Sequence, residues 1–424
     1  MYELRSLVAT AFAVAAFAPL PAAAQDSVKV GIVTFLSGPA AGPFGVPARN
    51  AAEIVIQQIN EGKAPKPYAE KGFGGAKIEP VVIDEAGSST VQVTEFRNLV
   101  QRANVDLVIG YVSSGNCLAV APVAEELKKL TVFFDCGTPR IFEETSYKYV
   151  FRTSSTATMD SVGAALYVKE LKPDLKAVAG LNQNYAWGQD SWGDFQAAIK
   201  QMFPKVSFTT SQMPKLFAGQ YGAEISALLT SDADVIHTSF WGGDLEAFIL
   251  QAAPRGLMQK KMLVLTTGET AMYKLATQIP DGTVIGARGP YGPFAPENEL
   301  NRWFSSIFTE RHNAPPNYAA YQMAQAILGT KAAWEKAQAA NGGKRPDIDR
   351  VITAFERLEF DAPGGHVRMA IGKGHQAVTE TAYGQTKVVK GQMTLTNVKR
   401  YPAEQVNPPD GVKSADWINS GFKQ

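Results

Sequence analysis

Apolar and β-branched runs alternate along this chain with segments in which apolar residues recur every three or four positions. The run Val28–Val33 precedes the segment Ala48–Asn60, whose alanine, valine and isoleucine residues form one helical face. Glu79–Asp84, Val105–Ile109 and Thr131–Asp135 are further predicted strands, with helical patterns between them. Strands that alternate with helices predict parallel sheets with helices on both faces.

The same alternation recurs further along and predicts a second sheet, with strands at Lys176–Leu181, Val206–Thr210, Val235–Thr238 and Met262–Thr266. Three helical patterns follow, at Glu299–Arg311, Tyr318–Ala339 and Asp347–Leu358. Two segments rich in turn residues, Asp281–Pro296 and Asp361–Gly374, are interpreted as connections between lobes. A chain of about 400 residues after its amino-terminal segment is too long for one core, so two lobes are expected.

Small hydroxyl residues and glycines follow three strands of the first group, at Ser37–Pro39, Ser113–Gly115 and Gly137–Thr138. In an open α/β sheet, ligands lie outside the carboxyl ends of the strands, where hydroxyl and backbone N–H groups hold a small anion. Each group alone is more typical of a turn or a helix cap than of a ligand site. Three groups at successive strand ends favour capture of a small molecule.

The first 24 residues have the pattern of a secretory signal. Arg5 precedes an apolar stretch from Leu7 to Phe17, and Ala22–Ala24 form a small-residue cleavage site. The stretch is shorter than the roughly 20 residues that cross a bilayer, so an uncleaved anchor is the weaker interpretation. We expect the mature protein to begin near Gln25, in the periplasm.

The charge balance and the cysteine content exclude further functional classes. The chain has 41 basic and 40 acidic side chains, which argues against a nucleic-acid or membrane-surface partner. Its two cysteines, Cys117 and Cys136, lack metal-ligand spacing. They follow neighbouring predicted strands, and spacing alone leaves both a disulfide and two buried thiols open.

Enzymatic patterns are not found. The four histidines show no metal-binding pairing, and the chain has no G-x-S-x-G elbow. The glycines of Gly72–Gly75 precede a strand rather than a helix, unlike a dinucleotide loop. Cys136 has no histidine near it in sequence. The sequence predicts a protein that is not an enzyme and that needs no cofactor.

Several segments, in order, resemble the leucine/isoleucine/valine-binding protein family, the periplasmic receptors of ABC importers. They are the opening Val-Lys-Val-Gly-Ile-Val-Thr-Phe-Leu-Ser-Gly-Pro, then Val-Ile-Gly-Tyr-Val-Ser-Ser, Asp-Cys-Gly-Thr-Pro, Trp-Gly-Gln-Asp and Thr-Gly-Glu. The likeness runs from about residue 27 to about Asp361. It implies an α/β fold of two doubly wound, Rossmann-like lobes joined by a three-crossover hinge, the type I periplasmic-binding-protein fold.

The resemblance also implies where the crossovers lie. We expect them near Arg152, Arg288 and Gly365. The amino-terminal lobe would then comprise residues 25–152 and 289–364, and the carboxyl-terminal lobe residues 153–288 and 365–424.

Ligand positions of the family transfer where the motifs match. The resemblance implies that Ser114 and Thr138, with the backbone of Cys136 and Gly137, bind a ligand carboxylate. It implies that Glu269 pairs with the ligand's amino group. Ser113 and Arg140 are weaker candidates beside this clamp.

At three positions where the family often has tyrosine, this chain has Phe44, Trp187 and Trp241. Flat apolar rings suit a ring-bearing ligand better than a short aliphatic one. Tyr185 is a weaker candidate for the same wall. A role of the tryptophans in the core is the alternative.

We therefore predict a monomeric periplasmic solute-binding protein that captures a small carboxylate with an aromatic or apolar body by hinge closure. Its partners would be an inner-membrane ABC permease and its ATPase. A branched-chain amino acid is the alternative ligand. A ligand-sensing protein not coupled to transport is the alternative of another class.

Overall fold

The computed structural model describes residues 27–423, so the predicted signal segment lies outside the described residues. Within them the strands form two sheets, one in each lobe. The first sheet has the order β11-β12-β13-β5-β4-β3-β1-β2. Its strands are β1 (Ser27–Thr34), β2 (Lys77–Asp84), β3 (Leu107–Gly110), β4 (Thr131–Phe133), β5 (Val150–Arg152), β11 (Glu359–Ala362), β12 (Gly365–Ile371) and β13 (Gln376–Val378).

The second sheet has the order β15-β14-β10-β9-β8-β6-β7. Its strands are β6 (Ala177–Leu181), β7 (Ser207–Gln212), β8 (Val235–Thr238), β9 (Met262–Leu265), β10 (Val284–Gly286), β14 (Thr381–Val389) and β15 (Gln392–Tyr401). In both sheets the central strands pair in parallel, which confirms the predicted α/β class.

Helices cover both sheets, and several begin at a polar side chain that accepts a backbone N–H, including Ser88, Thr156 and Asn317. The helices are α1 (Val46–Glu61), α2 (Ser89–Gln101), α3 (Ser114–Glu126), α4 (Arg140–Glu143), α5 (Ala157–Leu171), α6 (Ala186–Met202), α7 (Gly222–Thr230), α8 (Gly242–Ala252), α9 (Leu257–Lys260), α10 (Glu269–Met272), α11 (Glu299–His312), α12 (Tyr318–Ala340), α13 (Ile348–Phe355), α14 (Ala403–Val406) and α15 (Ser414–Asn419).

The chain crosses between the lobes three times. The first crossing follows β5 at Arg152, and the second follows β10 near Arg288. The third lies between β13 and β14, at Thr379 and Glu380, and not near Gly365 as expected. Gly365 begins β12, which pairs with β11 and β13, so residues 365–378 complete the first sheet.

The segment Asp361–Gly374 is therefore a hairpin of the first lobe and not a connection. The carboxyl-terminal tail packs on the second lobe, where Trp417 and Ile418 are buried in its core. Ser414 nevertheless reaches back to the first lobe, because its backbone N–H donates to Glu143 of α4 at 2.9 Å. The tail thus contacts both sides of the hinge.

Cys117 and Cys136 form a disulfide, which resolves the alternative left by their spacing. It ties the start of α3 to the loop after β4, and both of these segments border the cleft between the lobes. In residues 27–423, no helix is both long and apolar enough to cross a bilayer.

Candidate functional site

The carboxyl ends of the central strands of the two sheets face each other across the interlobe cleft and enclose a central cavity. Its lining combines hydroxyl and glycine residues of the first lobe with aromatic residues of the second. The lining residues are Val112, Ser114, Asp135, Gly137, Tyr185, Trp187, Trp241, Thr267, Arg288 and Tyr318.

Ser114 lies at the first position of α3 and is fully buried. Its Oγ accepts the backbone N–H of Thr138 at 3.2 Å, which leaves the Ser114 hydroxyl proton as a donor toward the cavity. The amino terminus of α3 adds a positive partial charge at the same point. This side of the cavity is therefore suited to a carboxylate.

The opposite side is an aromatic wall whose polar atoms are satisfied. Trp187 donates its Nε1–H to the carbonyl of Ser239 at 2.8 Å. Trp241 donates its Nε1–H to the Tyr185 hydroxyl at 2.7 Å. Since Tyr185 only accepts there, its own proton remains a donor. The two indoles are 3% exposed, so they combine cavity lining with core packing, the two alternatives weighed above.

Phe44 lies one layer behind this wall. Its ring packs against Trp241 at 5.7 Å and against Tyr318 at 5.1 Å between centroids. It supports the lining from the first lobe and does not itself border the cavity.

Arg288 is one of five lining residues that sequence reasoning missed as site residues; the others are Val112, Asp135, Thr267 and Tyr318. Arg288 is buried at the second crossover, forms an ion pair with Asp135, and donates from Nε to Asp160 at 3.0 Å. Its guanidinium lies 4.4 Å from the Trp187 ring centroid. Burial lowers the pKa of Arg288 to about 10, so it stays cationic at neutral pH. The sequence did contain a signal for this ion pair, because Arg288 lies at a predicted crossover and Asp135 ends a predicted strand.

Thr138 and Arg140 face across the cleft and not into the cavity. Thr138 donates its hydroxyl to Asp190 of α6 at 2.6 Å, and Arg140 donates from Nε to the same carboxylate at 2.9 Å. These contacts join the first lobe to the second. Arg140 therefore has a protein carboxylate where a ligand anion was expected.

Glu269 is also turned away from the cavity lining. Its buried carboxylate accepts the backbone N–H of Tyr318, at the start of α12, at 3.0 Å. Burial raises the pKa of Glu269 to about 7. The expected partner, a ligand amino group, is here replaced by a helix amino terminus of the other lobe.

The backbone of Cys136 is engaged as well, because its carbonyl accepts an N–H of Arg152 at 2.6 Å. Gly137 is the member of the expected clamp that lines the cavity beside Ser114. A Cβ at Gly137 would lie 2.3 Å from the Trp187 ring, so the indole packs directly on this backbone.

The lobes are closed on each other. The space left for solvent in the central cavity is about 10 Å³, which is roughly one water molecule. A ring-bearing ligand can enter only if the lobes separate or the Trp187 and Arg288 side chains move.

A sequence profile described as a periplasmic binding protein matches residues 27–392. The leucine-specific-binding protein of Salmonella typhimurium is 24% identical over 275 residues, which cover 64% of this chain and 70% of that protein.

Solved structures show the same fold. A solute-binding protein of an ABC transporter from R. palustris, in complex with 4-hydroxybenzoate, has a TM-score of 0.75 at 21% identity, covering 89% of this chain and 98% of that one. Another from R. palustris, in complex with benzoate, has a TM-score of 0.74 at 21% identity over 90% and 99% of the two chains. An ABC-type branched-chain amino acid transporter from Rhodopseudomonas palustris CGA009 has a TM-score of 0.66 at 21% identity over 91% and 100%.

Proposed function

The chain belongs to the periplasmic binding protein family, and on this premise we propose that it captures an aromatic carboxylate between its lobes for an ABC importer. It is a solute-binding protein of an ABC transporter and not an enzyme. The ligand, the closing motion, a monomeric state and export by residues 1–24 are parts of the proposal.

One observation carries the ligand class. The cavity sets the Ser114 hydroxyl and the Gly137 backbone against Trp187, Trp241 and Tyr185. Hydroxyl and helix-terminal N–H groups bind a carboxylate, and indole faces give a flat apolar surface for a ring. Relatives of the same fold are described in complex with benzoate and 4-hydroxybenzoate, which supports this class.

A branched-chain amino acid is the second candidate. It is favoured by the leucine-specific relative and by the Asp135 carboxylate in the lining, which an ammonium group would pair with. Against it, Asp135 already has Arg288 as its partner. A ligand-sensing protein that is not coupled to transport is the candidate of another functional class. Binding to an ABC permease would distinguish a transport protein from such a sensor.

Calorimetric titration of purified protein with 4-hydroxycinnamate, benzoate, phenylalanine and leucine in one buffer tests the ligand class. We expect heat from the aromatic carboxylates and weaker binding of leucine. Trp187→Ala should abolish most of that binding, whereas Trp303→Phe, on α11, should leave it unchanged. Tight leucine binding with no heat from any aromatic acid would overturn the proposal.

A further inference from the structure

A second space adjoins the central cavity, separated from it by Tyr185, which borders both. It holds about 400 Å³, within the roughly 300–1,000 Å³ of small-molecule pockets. Both lobes contribute to it, so an occupant would be held by the same closure. We call this space the outer chamber; it is lined chiefly by Phe35, Ser88, Ser113, Gly115, Leu216 and Phe217.

One face of the outer chamber continues the aromatic wall of the cavity. Phe217 packs on Trp241 at 5.4 Å and on Phe35 at 6.2 Å between ring centroids. Leu216 extends this surface from the second lobe. The chamber therefore offers an apolar surface on the far side of Tyr185, and a ligand body that extends from the indoles into it must displace the Tyr185 ring.

The other face is formed by the amino termini of α2 and α3, whose N-cap positions are Ser88 and Ser113. Ser88 accepts the N–H of Val91, and Ser89 donates to Asn116 at 3.0 Å. Ser113 differs from them: it is 6% exposed, and within residues 27–423 its hydroxyl has no hydrogen-bond partner. Ser113 Oγ is open to the chamber and bonds to no group of the described residues, so its proton is available to a ligand atom.

Two carboxylates limit what that atom can be. Glu85 accepts the backbone N–H groups of Val112 and Ser113 at 2.8 Å, directly beneath this face. Asp84 accepts the Ser37 hydroxyl at 2.6 Å at the chamber rim. Burial raises the pKa of Glu85 to about 8, so the negative charge at this face comes from Asp84. A second ligand carboxylate would be repelled by Asp84, so a neutral oxygen fits better.

We propose that the ligand reaches beyond the central cavity and places a neutral hydroxyl or ether oxygen in the outer chamber, next to Ser113. This inference rests on the proposed function, which puts the carboxylate at Ser114. Consecutive Cα atoms are about 3.8 Å apart, so one small molecule reaches both serines. The ligand class is then an oxygen-substituted aromatic acid of hydroxycinnamate size, larger than benzoate.

Gly115 allows a direct test, because it faces the chamber. A Cβ there would lie 3.6 Å from Ser89 Oγ and 3.8 Å from Ser113 Oγ, which is ordinary contact. Gly115→Ala should fit without change, whereas Gly115→Leu should fill the chamber. By calorimetry, we expect Gly115→Leu to weaken 4-hydroxycinnamate tenfold or more and to leave benzoate within twofold. Gly115→Ala should leave both ligands within twofold.

Ser113→Ala gives an independent readout on the same ligands. It should lower the preference for 4-hydroxycinnamate over cinnamate by about threefold to tenfold, the effect of one hydrogen bond. Equal effects of Gly115→Leu on both acids, or none on either, would overturn the extended ligand. Wild-type protein that binds benzoate and not 4-hydroxycinnamate would also overturn it while sparing the proposed function. Wild-type protein that binds neither acid would overturn both.

Discussion

The contact between Gly137 and Trp187 predicts that one added methyl group impairs closure. A Cβ at Gly137 would lie 2.3 Å from the Trp187 ring and 2.7 Å from an Arg288 Nη atom. Gly137 belongs to the first lobe and Trp187 to the second, so the clash arises when the lobes meet. Gly137→Ala should therefore leave the open form intact and destabilise the closed one.

The size of the effect follows from what has to move. Trp187 is held by its hydrogen bond to Ser239 and by the guanidinium of Arg288, so neither group can shift freely. Overpacking of this kind costs about 1–3 kcal/mol. If ligand binds only the closed form, the dissociation constant should rise by about fivefold to 150-fold, since each 1.4 kcal/mol is a factor of ten.

Calorimetry with 4-hydroxybenzoate and small-angle scattering with and without saturating ligand measure the two consequences. Gly193→Ala is a matched control on α6, because a Cβ there would meet nothing within 4 Å. Wild type and control should become more compact on ligand addition, and Gly137→Ala should require far more ligand. Affinity and compaction equal to wild type in Gly137→Ala would refute the packing argument.

Three other perturbations test separate parts of the structure. Thr138→Val removes the hydroxyl that donates to Asp190 across the cleft. It should weaken ligand binding and should lower the melting temperature of the ligand-free protein by no more than a few degrees. An unchanged affinity by calorimetry would show that this interlobe hydrogen bond does not support closure. Glu269→Gln tests the cost of burying this carboxyl group, whose pKa is about 7 in the folded protein and 4.5 for an exposed glutamate. The free energy of unfolding of the wild type should therefore fall relative to that of the variant as pH rises from 4.5 to 7, by up to about 3 kcal/mol. The same difference between the two proteins at pH 5 and at pH 8, measured by urea unfolding, would contradict this. Reduction of the Cys117–Cys136 disulfide, which closes a 19-residue separation, should lower the free energy of unfolding by about 3 kcal/mol, and two titratable thiols in unreduced denatured protein would show that the bond is absent.

Eight parallel strands, β1–β4 and β6–β9, were predicted from short runs rich in β-branched residues between helical patterns. β3 and β8, for example, are buried at every position. The parallel strands β5 and β10 were missed, because each has only three residues, and β10 lies in the segment Asp281–Pro296 that was interpreted as a connection. The strands after α13 were missed for another reason. β15 is exposed at most positions and β11 alternates, so neither forms an apolar run, and the hairpin at Gly365 was taken for a crossover. Their place is set by pairing with distant strands, which local sequence does not specify.

The site shows the same division between local and distant determinants. Ser114, Gly137, Trp187 and Trp241 were predicted from the residues that end strands and begin helices, and the structure brings them to one cavity. Thr138 and Glu269 lie close to it, but their partners are in the opposite lobe. Contacts between lobes depend on the closure angle, which no motif in either lobe encodes.

The buried charges determine which groups are left to bind a ligand carboxylate. Asp135 and Asp160 come from different lobes, and Arg288 at the crossover pairs with both. Because the guanidinium is already bound by protein carboxylates, a ligand carboxylate gains little from it unless Asp135 is displaced, and such an exchange leaves a buried acid without its partner. On the proposed function, hydroxyl and N–H donors at Ser114 and Gly137 would bind a carboxylate without that exchange. The arginine therefore links the two lobes beside Trp187, and on the proposed function the aromatic wall would discriminate among ligands.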